Sequence, residues 1–168
     1  MTPDRPFAPP LPRNPARALP WFSVIAGSLL TAVPLVAHVP LLPPFGLLML
    51  LGWRLLARYA MRRWAAAPLG FVDDLLSGQP LGSAVLLWSL CFLMIDLIEQ
   101  RLAFRDFWQD WLIAAGLLAL ALWGGRLIAV PLAAHLDAAV VAQWGMAVLL
   151  FPLATRVAAW IDAKRAYP

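Results

Sequence analysis

The chain has 168 residues, 62% of them hydrophobic and only 13% charged, with a formal net charge of +4. A soluble domain carries about 25% charged residues, so the composition excludes a water-soluble enzyme and points to a chain embedded in a membrane. The positive charge is read as a mark of membrane topology rather than of nucleic-acid binding, and the single cysteine, Cys91, leaves no intrachain disulfide and no cysteine metal pair.

Residues 1–20 hold seven prolines and three arginines and read as an extended, disordered cytoplasmic tail. No small-residue cleavage site follows the first apolar run, so that run is read as an uncleaved span. Six apolar runs follow in chain order: about Trp21–Val39, Phe45–Ala57, Ala65–Leu76, Leu81–Ile98, Trp111–Val130 and Ala139–Ile161. The expected fold is all-α: a polytopic membrane bundle over residues 21–161 with six transmembrane helices and both termini cytoplasmic, closed by a short cytoplasmic tail at 162–168. The second and third runs are short against the roughly 20 residues a spanning helix needs.

Charge placement agrees with this layout. With the N-terminus inside, twelve of the thirteen basic residues fall in or near cytoplasmic segments and only Arg126 lies toward the outside, the asymmetry expected of cytoplasmic loops. Five spans would place Lys164 and Arg165 outside. Trp21, Trp53, Trp64, Trp108, Trp111, Trp123 and Trp160 fall near span ends, where an amphipathic ring is favoured. Trp88 sits deeper and is read as packed between helices.

The stretch GFVDDLLSGQPLG, residues 70–82, places two adjacent acids at the end of the third span. Neighbours on a helix point about 100° apart, so Asp73 and Asp74 cannot share one close partner. One can face the bundle and the other the outer interface. Either these acids end a helix at the water boundary, or one of them bonds a neighbouring backbone and fixes the break at Ser77-Gly78-Gln79-Pro80. Gly78, Pro80 and Gly82 supply the unusual φ values and the missing donor that let the chain leave one span and start the next within a few residues.

Other polar residues carry no recognisable chemistry. Asp96 and Glu99, with Arg101, Arg105, Asp106 and Asp110 after them, read as a solvated cytoplasmic loop, with a docking surface for a cytoplasmic partner the less favoured alternative. Arg156 reads as snorkelling to the inner headgroups, with pairing to Asp96 the less favoured alternative. His38 and His135 read as interfacial. No phosphate-binding loop, zinc helix or serine motif is present. Aspartyl chemistry would need a second Asp at the depth of Asp73 and Asp74, and Asp96 lies at the opposite end. The expectation is a non-enzyme without cofactor or metal. No cluster of polar residues is expected to line one face of several spans.

The same stretch resembles the signature of the rod shape-determining MreD family: a Gly four residues before an Asp, then Leu-x-Ser-Gly and a closing Leu-Gly. The matching positions are Gly70, Asp74, Leu75, Ser77, Gly78, Leu81 and Gly82. Asp73 stands where many members have an apolar residue, and the Pro-rich tail is outside the family pattern. The resemblance implies a non-enzymatic inner-membrane scaffold of the bacterial cell-elongation machinery, which builds peptidoglycan. It would bind an MreC-like single-span protein, and through it an MreB-like actin homologue, a RodA-like polymerase and its transpeptidase. The family's fold is similar to the substrate-binding subunits of vitamin transporters, which keeps a small-molecule or lipid-binding membrane subunit as the alternative. The Ala- and Gly-rich fifth and sixth spans are candidate partner faces, or pack only within the bundle.

Overall fold

The computed structural model describes residues 18–32, 42–57, 60–101, 106–129 and 137–166. These form six α-helices: α1 (Leu19–Ala32), α2 (Phe45–Leu56), α3 (Ala66–Ser77), α4 (Ser83–Arg101), α5 (Phe107–Ala129) and α6 (Asp137–Ala166), with a 3₁₀ turn at Arg63–Ala65 before α3. No strand occurs among the described residues. The expected tail before residue 18, His38 and His135 lie outside the described residues, as does the last third of the first expected span.

Three helices, α4, α5 and α6, are long and apolar enough to cross a membrane. α6 runs 30 residues with Pro152 inside it. α1 and α2 are shorter apolar helices. α3 is 12 residues long and tolerates Pro68 because it falls in the first turn, where a backbone N–H has no intrahelical partner.

The packing explains how so short a helix as α2 is accommodated. Its 12 residues span about 18 Å, well under the roughly 30 Å of a hydrocarbon core. Gly46, Leu47, Leu48 and every residue from Leu50 to Leu55 are buried, so protein surrounds α2 on all sides and its ends need not reach water or lipid alone. α1 and α6 pack against it. α1 comes very close: a side chain at Gly27 would stand 2.8 Å from the carbonyl oxygen of Phe45. α3 packs on α4 and α1, α4 on α5, and α5 on α6.

Tryptophans do more internal bonding than their positions near run ends suggest. Trp53 is fully buried and its Nε1–H donates to Ser23 Oγ at 2.8 Å, so it ties α2 to α1 rather than anchoring an interface. Trp111 donates to the Val148 carbonyl at 3.0 Å and Trp144 to the Ala115 carbonyl at 2.9 Å, stitching α5 and α6 in both directions. Trp88 is buried on α4. Trp64, Trp108 and Trp160 are exposed.

The helices alternate in direction, which gathers their ends into two groups. The starts of α1 and α3 and the ends of α2, α4 and α6 share one end of the bundle, where Arg54 meets Asp96 and Trp21 meets Trp64. The opposite end holds the α3–α4 turn.

Candidate functional site

The α3–α4 turn is built around one carboxylate. Asp74 is 1% exposed. Its Oδ1 accepts the Ser83 hydroxyl and the Ala84 backbone N–H, each at 2.9 Å. Its Oδ2 accepts the Gly82 N–H at 2.9 Å and the Val85 N–H at 3.4 Å. The first N–H groups of a helix have no intrahelical acceptor and carry partial positive charge, so Asp74 caps α4 from a different helix.

Gly70 lies one turn earlier on the same face of α3. A side chain there would stand 2.8 Å from the carbonyl carbon and oxygen of Ala84 and the nitrogen of Val85. The Gly-x-x-x-Asp spacing thus has a direct meaning. Gly70 lets the backbones touch, and Asp74 then reaches the start of α4. Between the helices, Gly78 ends α3 in the left-handed region at φ 66° and Gly82 takes φ 97°, conformations that L side chains rarely adopt. Pro80 is exposed and its carbonyl accepts the Ser83 N–H at 3.1 Å. Ser77 is exposed beside the same turn.

Asp73 points elsewhere. It is half-buried and takes a hydrogen bond from the side chain of Ser28 on α1. Ser28 is itself buried against Gly46 of α2. The adjacent acids therefore divide their work: Asp74 ties α3 to α4, and Asp73 ties α3 to α1. Neither is simply turned out to an interface.

Asp73 also lines a cavity of about 480 Å³ at this end of the bundle. Ser28, Thr31, Gln79, Arg126 and Gln143 share its walls, with Leu47, Leu87 and Trp88 as apolar lining. This corrects the expectation that no polar cluster lines several spans. The polar side chains come one or two each from α1, α3, α5 and α6, with Gln79 from the α3–α4 turn, so no single run displays a polar face. Part of the set is already engaged. The Thr31 hydroxyl donates to the Gly27 carbonyl at 3.0 Å, and Gln143 Nε2 donates to the Leu42 carbonyl at 2.6 Å.

A second buried polar group lies at the opposite end, where the sequence suggested a solvated loop or a docking surface. Arg54 is 5% exposed, forms an ion pair with Asp96 and another with Glu99 at 3.2 Å, and lies 5.8 Å over the ring of Phe92. Arg63, 81% exposed, also reaches Asp96 at 3.0 Å. Arg156 is exposed on α6. Two signals could have found this pairing. Asp96 and Glu99 are three apart on one helix and so share a face, and Arg54 interrupts an otherwise apolar run. Arg54 is thus a buried tie between α2 and α4, where counting basic residues treated it as a charge at the cytoplasmic surface.

Among the described residues no three His, Cys, Asp or Glu side chains gather as a metal site. The arrangement of the described residues binds helices to one another through buried polar contacts and leaves a polar cavity between them. The family model for the rod shape-determining protein MreD matches residues 16–128, which takes in α1 to α4, the whole capped turn and most of α5. No curated protein and no solved structure matches the chain.

Proposed function

The chain belongs to the rod shape-determining protein MreD family, which implies a role in rod shape determination, and we propose that it serves there as a non-enzymatic scaffold. In this reading the six helices sit in the bacterial inner membrane with both termini in the cytoplasm. The charge distribution supports that orientation. With the buried Arg54 left aside, Arg62, Arg63, Arg101 and Lys164 belong to the Arg54 end of the bundle, whereas Arg126 lines the cavity at the other end. The α3–α4 turn then faces outward, toward the periplasmic side of the proposed partner, an MreC-like single-span protein. That partner links the scaffold to an MreB-like filament, a RodA-like polymerase and its transpeptidase.

The observation that carries the scaffold reading is the contrast among small residues. Gly27, Gly46 and Gly70 are spent inside the bundle on close helix contacts, and Gly124 faces Leu87. Among the described residues, Gly116 on α5 and Gly145 on α6 have no neighbour within 4 Å of a would-be Cβ. In a bilayer, helices associate through close packing at small residues, so these two positions offer a second helix a place to approach.

The test is to purify a tagged copy in detergent from its own cells and identify co-purifying proteins by mass spectrometry. A single-span periplasmic protein together with wall-synthesis enzymes is the expected result. Recovery of an energising ATPase pair instead would overturn the scaffold reading in favour of a transporter subunit.

A further inference from the structure

The polar cavity at the α3–α4 end is not needed to explain the capped turn. Asp74 secures that turn, and Asp74 is not part of the cavity wall. Yet the cavity gathers residues from all six helices, and two of them are ionisable groups of opposite sign: Asp73 from α3 and Arg126 from α5. Its volume, about 480 Å³, lies within the range of roughly 300–1,000 Å³ typical of small-molecule sites. Such sites combine an apolar wall with a few polar groups that fix orientation. Here Leu47, Leu87 and Trp88 supply the wall.

We infer that this cavity binds a phosphoethanolamine-type zwitterion, its phosphodiester held by Arg126 and its primary ammonium by Asp73. Each assignment follows from donor and acceptor chemistry. A guanidinium offers five N–H donors in a planar fork, enough to grip a phosphate while keeping a bond elsewhere. A carboxylate accepts about four hydrogen bonds, so Asp73 can keep the Ser28 hydroxyl and receive an ammonium as well. Gln79, exposed in the α3–α4 turn, adds an uncharged donor and acceptor to the wall. A purely anionic ligand would be repelled by Asp73, and a purely cationic one by Arg126. The apolar wall favours a ligand with carbon beyond its charged groups over a bare ion. The same chemistry is carried by an ethanolamine phospholipid headgroup and by soluble glycerophosphoethanolamine. Neither Gly116 nor Gly145 belongs to the cavity wall, so the site holds or fails independently of the partner contacts proposed there.

The experiment uses the full chain purified in detergent. Native mass spectrometry would measure retention of phosphatidylethanolamine against phosphatidylglycerol, which has the phosphodiester but no ammonium. Titration calorimetry would measure binding of glycerophosphoethanolamine. The expected result is a preference of about tenfold or more, equivalent to about 1.4 kcal/mol, for the ethanolamine compound in at least one format. Retention of the lipid alone assigns the site to a headgroup, and binding of the soluble compound assigns it to a free zwitterion. Asp73→Asn should abolish the preference while leaving phosphodiester binding, and Arg126→Gln should weaken both ligands. Equal retention of the two lipids by the unmodified protein, with no binding of the soluble compound, overturns the proposal whether or not the variants fold.

Discussion

The backbone N–H of Ala84, in the first turn of α4, points at the carboxylate of Asp74 on α3, 2.9 Å from Oδ1. Both carboxylate oxygens are used: one serves Ser83 and Ala84, the other Gly82 and Val85. Hydrogen bonds to a charged acceptor are worth about 1.5–3 kcal/mol each, and losing this one group orphans several donors together. Asp74→Ala is therefore expected to cost about 2 kcal/mol or more. Asp74→Asn should cost nearly as much, because whichever way the amide is turned its NH₂ faces backbone N–H donors. Thermal unfolding in detergent, followed by tryptophan fluorescence, measures both. An Asn variant as stable as the parent would show that the charge and its two acceptor oxygens are dispensable.

Gly70 supplies the closeness that Asp74 needs. Gly70→Ala puts a methyl group 2.8 Å from main-chain atoms of Ala84 and Val85, and main chain inside two packed helices cannot step aside as a side-chain tip can. The helices must part, with an overpacking cost of about 1–3 kcal/mol. Gly116→Ala is the control. It meets open space, and replacing a helical Gly by Ala gains about 0.5–1 kcal/mol. The two melting temperatures should move in opposite directions from the parent.

Gly82 tests the backbone alone. Among the described residues no atom lies within 4 Å of a would-be Cβ there, but its φ is 97°, and a residue forced into such a region costs on the order of 1–3 kcal/mol. Gly82→Ala and Gly82→Val should therefore both loosen the turn and weaken the Gly82–Asp74 bond without removing any helix. In cells, Gly82→Val is expected to impair assembly with the partner. Rod-shaped cells with normal co-purification would show that the shape of this turn does not matter to function.

Arg54 is exposed by only 5% and depends on Asp96 and Glu99. Removing one partner of a buried ion pair costs about 3–5 kcal/mol, so Arg54→Leu, which takes the shared partner from both Asp96 and Glu99, should be severely destabilising, and Asp96→Leu, which leaves Arg54 paired with Glu99, less so. The triple change Arg54→Leu, Asp96→Leu, Glu99→Leu removes every charge of the set at once and should recover most of the loss. Arg54 Nε is buried without a hydrogen bond, which adds to the gain from an apolar replacement. Arg63→Ala should change stability by about 0–1 kcal/mol, since its pairing with Asp96 is made from solvent. Unfolding temperatures of the four variants separate a buried tie from a surface contact.

The parts of this structure that were legible in the sequence are those set by local pattern. α4, α5 and α6 follow from their apolar runs. The α3–α4 turn follows from Gly78, Pro80 and Gly82, whose backbone preferences are intrinsic. What stayed hidden depends on neighbours brought together by folding. Arg54 and Asp96 are 42 positions apart, so the lone Arg in one apolar run and the two acids on one face of another hint at a buried pairing without saying which helices meet. Trp53 sits at a run end, as an interfacial tryptophan would, and only the contact with Ser23 shows that it is interior. The cavity draws on all six helices with too few polar residues from each to give any one of them a polar stripe.

Gly116 and Gly145 allow the partner surface to be located. Among the described residues neither meets a neighbour within 4 Å at the position of a Cβ, so a larger side chain at either site starts out into open space rather than into a packed helix. Helix association in a bilayer relies on close approach, and the large side chain removes it. Gly116→Leu and Gly145→Leu are thus expected to melt at or above the parent temperature, yet to lose the single-span partner when the tagged protein is purified from its own cells. Loss of the partner at one position and not the other would assign the contact to α5 or to α6. Full recovery of the partner with both variants would move the interface away from these helices and toward the α3–α4 end of the bundle.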